Sequence, residues 1–200
     1  FFDFRIKLIT MKIRKFYITA KPFVSVLVET IPLAALFIGT SFYSLHIGAA
    51  AAIFASTILI FFQFAKNKSI LFFPLFSTII SILFVSIAFI TEETFFIKIQ
   101  ASLFNIAFAL LLLLGWARNY PVMKLFFGKQ FSLNHYTWMQ LSMRWAIFFL
   151  CLAIANEFAW RLLDDEGWVS VKVFIFAPAT ALFMASLIPL TIKGKVPRSD

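Results

Sequence analysis

The sequence predicts an all-α, polytopic membrane protein with six transmembrane helices and both termini in the cytoplasm. Three observations carry that reading. The 200 residues are 62% apolar and 14% charged, with a mean hydropathy of +0.94, whereas soluble domains run nearer 45–50% apolar and about 25% charged. Six apolar segments each approach the ~20 residues that cross ~30 Å of hydrocarbon as a helix. The loops between them alternate between basic and neutral or acidic.

Taken in order, residues 1–22 form a basic cytoplasmic segment with Arg5, Lys7, Lys12, Arg14, Lys15 and Lys21. Met11, followed by Lys12, Arg14 and Lys15, reads as a natural start, which would make the first ten residues an extension. A basic start before an apolar run resembles a signal peptide. No A-x-A-like cleavage site follows, so the run reads as an uncleaved anchor. The spans cover 23–45, 47–65, 70–90, 97–117, 141–163 and 168–190, within one membrane domain over 23–192. None alternates with the period of a barrel strand, so all are helices. The first two are joined only by the polar neck Ser41–His46. A five-span alternative, fusing or dropping one early segment, would put the basic N-terminal residues outside.

Orientation follows from the loops. Lys66 and Lys68 follow the second span, Arg118, Lys124 and Lys129 the fourth, and Lys193, Lys195 and Arg198 the sixth, in the tail 193–200. The other connections carry Glu92 and Glu93, then Asp164, Asp165 and Glu166. Under the positive-inside rule this gives both termini, and the loop 118–140, to the cytoplasm. The net charge of +9 is therefore membrane-flanking, and no basic, aromatic-interleaved module points to nucleic acid.

Recognisable catalytic and metal signatures are missing. Cys151 is the single cysteine, which excludes an intrachain disulfide and a cysteine zinc cage. His46 and His135 have no metal-ligand spacing. No nucleophile elbow, phosphate-binding glycine loop or HExxH helix appears. Asn67-Lys68-Ser69 matches a glycosylation sequon by chance, in a loop assigned to the cytoplasm. No cofactor and no metal are expected.

Ionisable residues inside a bilayer are costly, by about 2.5–3.5 kcal/mol on insertion scales, and point to function by default. Glu157 and Arg161 are four apart on one helix face and can pair. Their pairing has two readings: helix glue, or a substrate, proton or lipid-headgroup site. Lys98 and Lys172 lie just inside spans four and six at the same outer face. Either they snorkel, or with Glu157 and Arg161 they build one polar cluster. Asn105, seven residues after Lys98 on the same face, suits an interhelical hydrogen bond; Asn156 is immersed beside Glu157. Glu29 and Pro32 fall in the first turns of span one, where Pro32 is expected to kink the helix and Glu29 to seek a partner such as Arg144. Pro178 and Pro189 are expected to bend span six. In the loop 118–140, the basic and apolar run Pro121–Lys129 fits a short element on the anionic leaflet or a plain re-entry turn, with Tyr120, Tyr136 and Trp138 at interface level.

An ordered set of residues then carries a resemblance. Gly128-Lys129, Trp138, Arg144-Trp145-Ala146-Ile147-Phe148-Phe149, Asn156-Glu157, Trp160-Arg161 and Trp168-Val169 before Lys172-Val173-Phe174 resemble the bacterial intracellular septation protein A family of inner-membrane-spanning proteins. Glu29-x-x-Pro32-Leu33 and Phe96-Ile97-Lys98 with Asn105 match its earlier landmarks, and Asn-Glu-x-x-Trp-Arg is similar to its alphaproteobacterial branch. The likeness covers roughly Glu29 to Gly194. There are departures. Val85-Ser86 stands where the family usually has Gly-Gly, Gln100 where it has a second lysine, and Ser102 where it has a threonine. Ser170-Val171 replaces Asn-Phe, and Ile175 a glycine.

The resemblance implies an inner-membrane protein of septation and envelope biogenesis, working with division and cell-wall elongation proteins, with no established catalytic residues. Three hypotheses follow: a non-enzymatic membrane factor in the lipid bilayer acting through helix and loop contacts; a small-molecule or lipid transporter using the Glu157/Arg161/Lys98/Lys172 cluster; and, least supported, an intramembrane enzyme.

Overall fold

A computed structural model describes residues 30–67, 72–128 and 131–197. These form helices α1 (Ile31–Phe42), α2 (Leu45–Asn67), α3 (Phe72–Thr91), α4 (Phe95–Ala117), α5 (Met123–Phe127), α6 (His135–Leu162), α7 (Asp165–Val171), a π turn Lys172–Phe176, α8 (Ala177–Ser186) and α9 (Ile188–Lys193). The only extended pairing among the described residues is an isolated antiparallel bridge between Leu133 and Lys195. The chain is an all-α, multi-pass membrane protein. Among the described residues, four stretches are long and apolar enough to cross a bilayer: Leu45–Ala65, Phe95–Ala117, His135–Leu162 and Asp165–Lys193. Ile31–Phe42 and Leu75–Thr91 are shorter apolar helices.

Short turns make successive helices antiparallel. The first two spans part at Tyr43 and Ser44, and α1 packs closely on α2 through glycine: a Cβ at Gly39 would stand 2.6 Å from Gly48 Cα. His46 lies in the first turn of α2, not in a loop, and its Nε2 sits 3.1 Å from Ala88 O on α3. Glu92 takes φ 59° in the turn between α3 and α4. After α4, Asn119 takes φ 55° and Tyr120 N–H donates back to Gly115 O at 2.8 Å, a left-handed helix stop.

Two buried clusters sit at opposite ends of the bundle. One gathers Leu36, Leu45, Val85, Ile97, Ala159, Trp168 and Val169. The other gathers Leu112, Val122, Met123, Trp138, Leu141 and Leu187. Most remaining large apolar side chains face outward, including Phe61, Ile90, Phe158 and Leu182, which only an apolar solvent tolerates over such an area.

Several sequence expectations are corrected. Pro32 lies in the first described turn of α1, and the part of span one before it, on which the expected kink depends, falls outside the described residues. Span five starts at His135, six residues before 141, because Asn134 Oδ1 caps the helix by accepting from Thr137 N–H at 2.7 Å. That shift carries Trp138 into the core at 2% exposure, away from the interface level; Tyr120 and Tyr136 remain exposed. The loop before it contains α5, tied to α6 where Met123 N–H donates to Ser142 Oγ. Span six is segmented. Ala177 N–H reaches Lys172 O across the π turn, immediately before Pro178, whose ring supplies no donor and disfavours a regular α turn. Pro189 opens α9.

Candidate polar site at one end of the bundle

Helices α4 and α6 pack extensively, as α1 and α2 do, and Lys98, Ser102 and Asn105 share the α4 stripe that continues in buried Ala109 and Leu112. On α6, Asn156 occupies the facing position and is 1% exposed. Its Nδ2 donates to Lys98 O at 3.0 Å and to Ser102 Oγ at 2.8 Å, while its Oδ1 accepts from Trp168 Nε1 at 3.0 Å. One amide thus ties α4, α6 and α7 together. In hydrocarbon such a group is tolerated because its partners are supplied internally.

Above this amide, Lys98 Nζ lies 2.5 Å from Asp165 Oδ1, and Thr94 Oγ1 donates to the same oxygen at 3.3 Å. Asp165 sits in the first turn of α7, which Asp164 caps by accepting from Gly167 N–H at 2.8 Å. Two acidic residues in that first turn suit the positive end of the helix.

Glu157 and Arg161 form a second, separate pair. Arg161 Nε and Nη2 both donate to Glu157 Oε2, at 3.2 and 3.0 Å. The guanidinium also stacks 4.4 Å from the Trp160 ring centroid, and Trp160 packs edge-on against Phe95 at 5.5 Å. Glu157 Oε1 and Trp160 Nε1 are buried outside hydrogen-bonding geometry, with Ser102 and Trp160 the carboxylate's other polar neighbours. Lys172 reaches neither carboxylate; its Nζ stands 4.4 Å over the Trp168 ring.

The structure therefore brings Lys98, Asn156 and Trp168 together, keeps Glu157 with Arg161 alongside, and seats Lys172 on the Trp168 ring away from both carboxylates. Asn105 is half-buried on the α4 stripe without a hydrogen-bond partner among the described residues; Ser102, one turn earlier, makes the interhelical bond instead. Arg144 is exposed and makes no ion pair among the described residues. Glu29 lies outside the described residues, so its pairing with Arg144 does too. Trp145 packs between α6 and α8, edge-on to Phe183 at 5.0 Å. Sequence reasoning missed Asp165, Ser102 and Thr94. Their signal is positional: a lysine just inside span four needs a carboxylate at the same bundle end, and Ser102 lies one turn from Lys98.

Chemically, the arrangement joins helices. No hydroxyl or thiol is held by a base in it, and among the described residues no group of three or more His, Cys, Asp or Glu side chains is placed to hold a metal.

Comparison with known proteins decides the family. The profile described as intracellular septation protein A matches residues 24–196. The chain belongs to the intracellular septation protein A family. Among septation protein A relatives, the inner membrane-spanning protein YciB of Rickettsia akari (strain Hartford) is 32% identical over 144 residues, covering 72% of this chain and 80% of the relative. The proteins of that name from Rickettsia massiliae (strain Mtu5) and Rickettsia felis (strain ATCC VR-1525 / URRWXCal2) match to the same extent. No solved structure matches. Like those relatives, this septation protein A homologue is a multi-pass inner-membrane protein, and its family ties it to septation.

Proposed function

We propose that this protein acts without catalysis, as an inner-membrane factor that binds division and cell-wall elongation membrane proteins. It would do so through helix faces and the loop before α6. In this reading both termini and that loop face the cytoplasm. The observation that carries it is the unequal covering of the spans. In its most apolar window Asp165–Lys193 is 6% buried within the chain, against 33% for Phe95–Ala117. The outward side of Asp165–Lys193, with Ile175, Leu182, Ile188 and Ile192 exposed, is apolar and long, as a helix awaiting partner helices would be. In the loop, Lys124, Leu125 and Phe127 are exposed together on α5, a basic and apolar surface suited to a protein at the anionic leaflet.

The test is site-specific photo-crosslinking in living cells, with a photoreactive residue at Leu182, at Leu125, or at buried Ala146 as control. Adducts to division or elongation proteins at Leu182 and Leu125, and none at Ala146, are expected. Full complementation of a septation defect with no protein adduct at either exposed site contradicts the proposal.

A further inference from the structure

A cavity of about 190 Å³ opens between α2, α3, α4 and the start of the C-terminal span. Its polar wall is built from four elements: Ser56 on α2, Thr78 and Ser81 on α3, Gln100 on α4, and Lys172 at the head of the π turn, with Trp168 closing one side. Polar groups converging from four helices in a bilayer are costly unless something pairs with them. The space suits about six waters at ~30 Å³ each, and falls below the ~300–1,000 Å³ of sites for larger organic ligands. A small charged group fits it.

The charge balance gives the sign. Lys98 is committed to Asp165, and Glu157 to Arg161. Lys172 has no ion pair among the described residues and rests against the Trp168 ring. The hydroxyl of Ser81 accepts from Gln100 Nε2 at 2.7 Å, so its own proton is available to donate into the cavity. The lysine also starts the π turn, a local register change frequent at functional sites. Within the C-terminal span Lys172 follows the seven-residue helix Asp165–Val171, ~10 Å from its start at 1.5 Å per residue, on the side where the chain leaves the apolar stretch.

We infer that this cavity binds a phosphate-type oxyanion, with Lys172 supplying the charge and the Ser81 and Thr78 hydroxyls the hydrogen bonds. The phosphate belongs either to a membrane phospholipid or to a free anion, and two probes separate these sources.

The purified full chain in phosphate-free maltoside micelles is titrated with sodium phosphate, with dihexanoyl phosphatidylglycerol, and with dihexanoylglycerol, while thermal unfolding is followed. Stabilisation by phosphatidylglycerol but not by dihexanoylglycerol or phosphate assigns a lipid phosphate; stabilisation by phosphate as well assigns a free anion. Lys172→Gln should weaken either effect about tenfold, the loss of one charge-assisted contact, and Lys172→Arg should restore most of it. Should Lys172→Gln fail to fold, amine labelling of the wild-type chain decides: the active probe should slow modification of Lys172 while exposed Lys193 is unchanged. No stabilisation by either phosphate probe overturns the inference. So does an undiminished response in folded Lys172→Gln, or a labelling rate at Lys172 that the probes leave unaltered.

Discussion

Lys98 on α4 and Asp165 on α7 form an ion pair of 2.5 Å whose two members differ in burial: the lysine side chain is 10% exposed and the carboxylate 36%. The consequence is an asymmetry between the two ways of breaking it. Asp165→Asn strands a cation inside the bundle, which costs 3–5 kcal/mol for a fully buried pair; discounted for the partly exposed partner, the expected loss is about 1–3 kcal/mol. Lys98→Met leaves only a carboxylate that can turn to water, and should cost less than about 1 kcal/mol. Thermal unfolding in detergent orders the two variants. A Lys98→Met protein less stable than Asp165→Asn would contradict the described burial.

The Asn156 amide is a bridge with three partners, so its neighbours should not behave additively. Trp168→Phe removes the donor to Oδ1 and leaves a buried acceptor unpaired, worth about 1–3 kcal/mol, and its smaller ring adds a cavity cost at a side chain only 1% exposed. Ser102→Ala removes one of two acceptors for Nδ2 and should cost under about 1 kcal/mol, near the average for interhelical hydrogen bonds in membranes. Once Asn156→Leu has removed the amide, Trp168→Phe should cost less by the hydrogen-bond share of about 1–3 kcal/mol, while the cavity cost remains. A double-mutant cycle measures this coupling, and a value indistinguishable from zero refutes the network.

How much of this was legible in the sequence differs by feature. Apolar runs separated by Glu92-Glu93 and Asp164–Glu166 mark the helices and the end where the polar residues gather, because length and burial of charge are one-dimensional properties. Rotation about the helix axis is not. Lys98, Glu157 and Lys172 lie at one level, yet α4 turns Lys98 towards Asp165, and the π turn sets Lys172 against Trp168. The early start of α6 was hidden for a different reason: His135, Tyr136, Thr137 and Gln140 interrupt the apolar pattern, and only the Asn134 cap signals a helix there.

Glu157 and Arg161 separate a structural from a functional reading of the family motif. The arginine side chain is 61% exposed and the carboxylate 29%, so the pair should contribute less than about 1 kcal/mol. Under a non-catalytic role, Glu157→Gln and Arg161→Gln should accumulate in the membrane at wild-type levels and complement a septation defect. Normal levels with complete loss of function would instead assign a substrate or proton to this carboxylate.

Orientation has its own test. In a Cys151→Ser background, a cysteine at Glu93 should react with an impermeant maleimide in intact cells, while one at Lys195 should react only after permeabilisation. Position 93 is preferable to 92, where φ is 59° and a side chain already carries backbone strain. Labelling at 195 in intact cells would invert the topology.

The α1–α2 hairpin depends on two glycines facing each other. A methyl at Gly39 would meet Gly48 Cα at 2.6 Å and Gly48 N at 3.0 Å, and these are backbone atoms that no rotamer change can move. Alanine gains roughly 0.5–1 kcal/mol over glycine in a helix interior, whereas forcing two packed helices apart costs about 1–3 kcal/mol. The close approach should win, so Gly39→Ala is expected to destabilise the protein. Ile38→Ala, one residue away on a side chain that is 55% exposed, should have a much smaller effect because no helix covers it. Thermal unfolding of the two variants, with a disulfide trap between α1 and α2 reporting their separation, distinguishes the outcomes. Gly39→Ala with wild-type stability and an unchanged trap would mean that the two helices do not touch at this point.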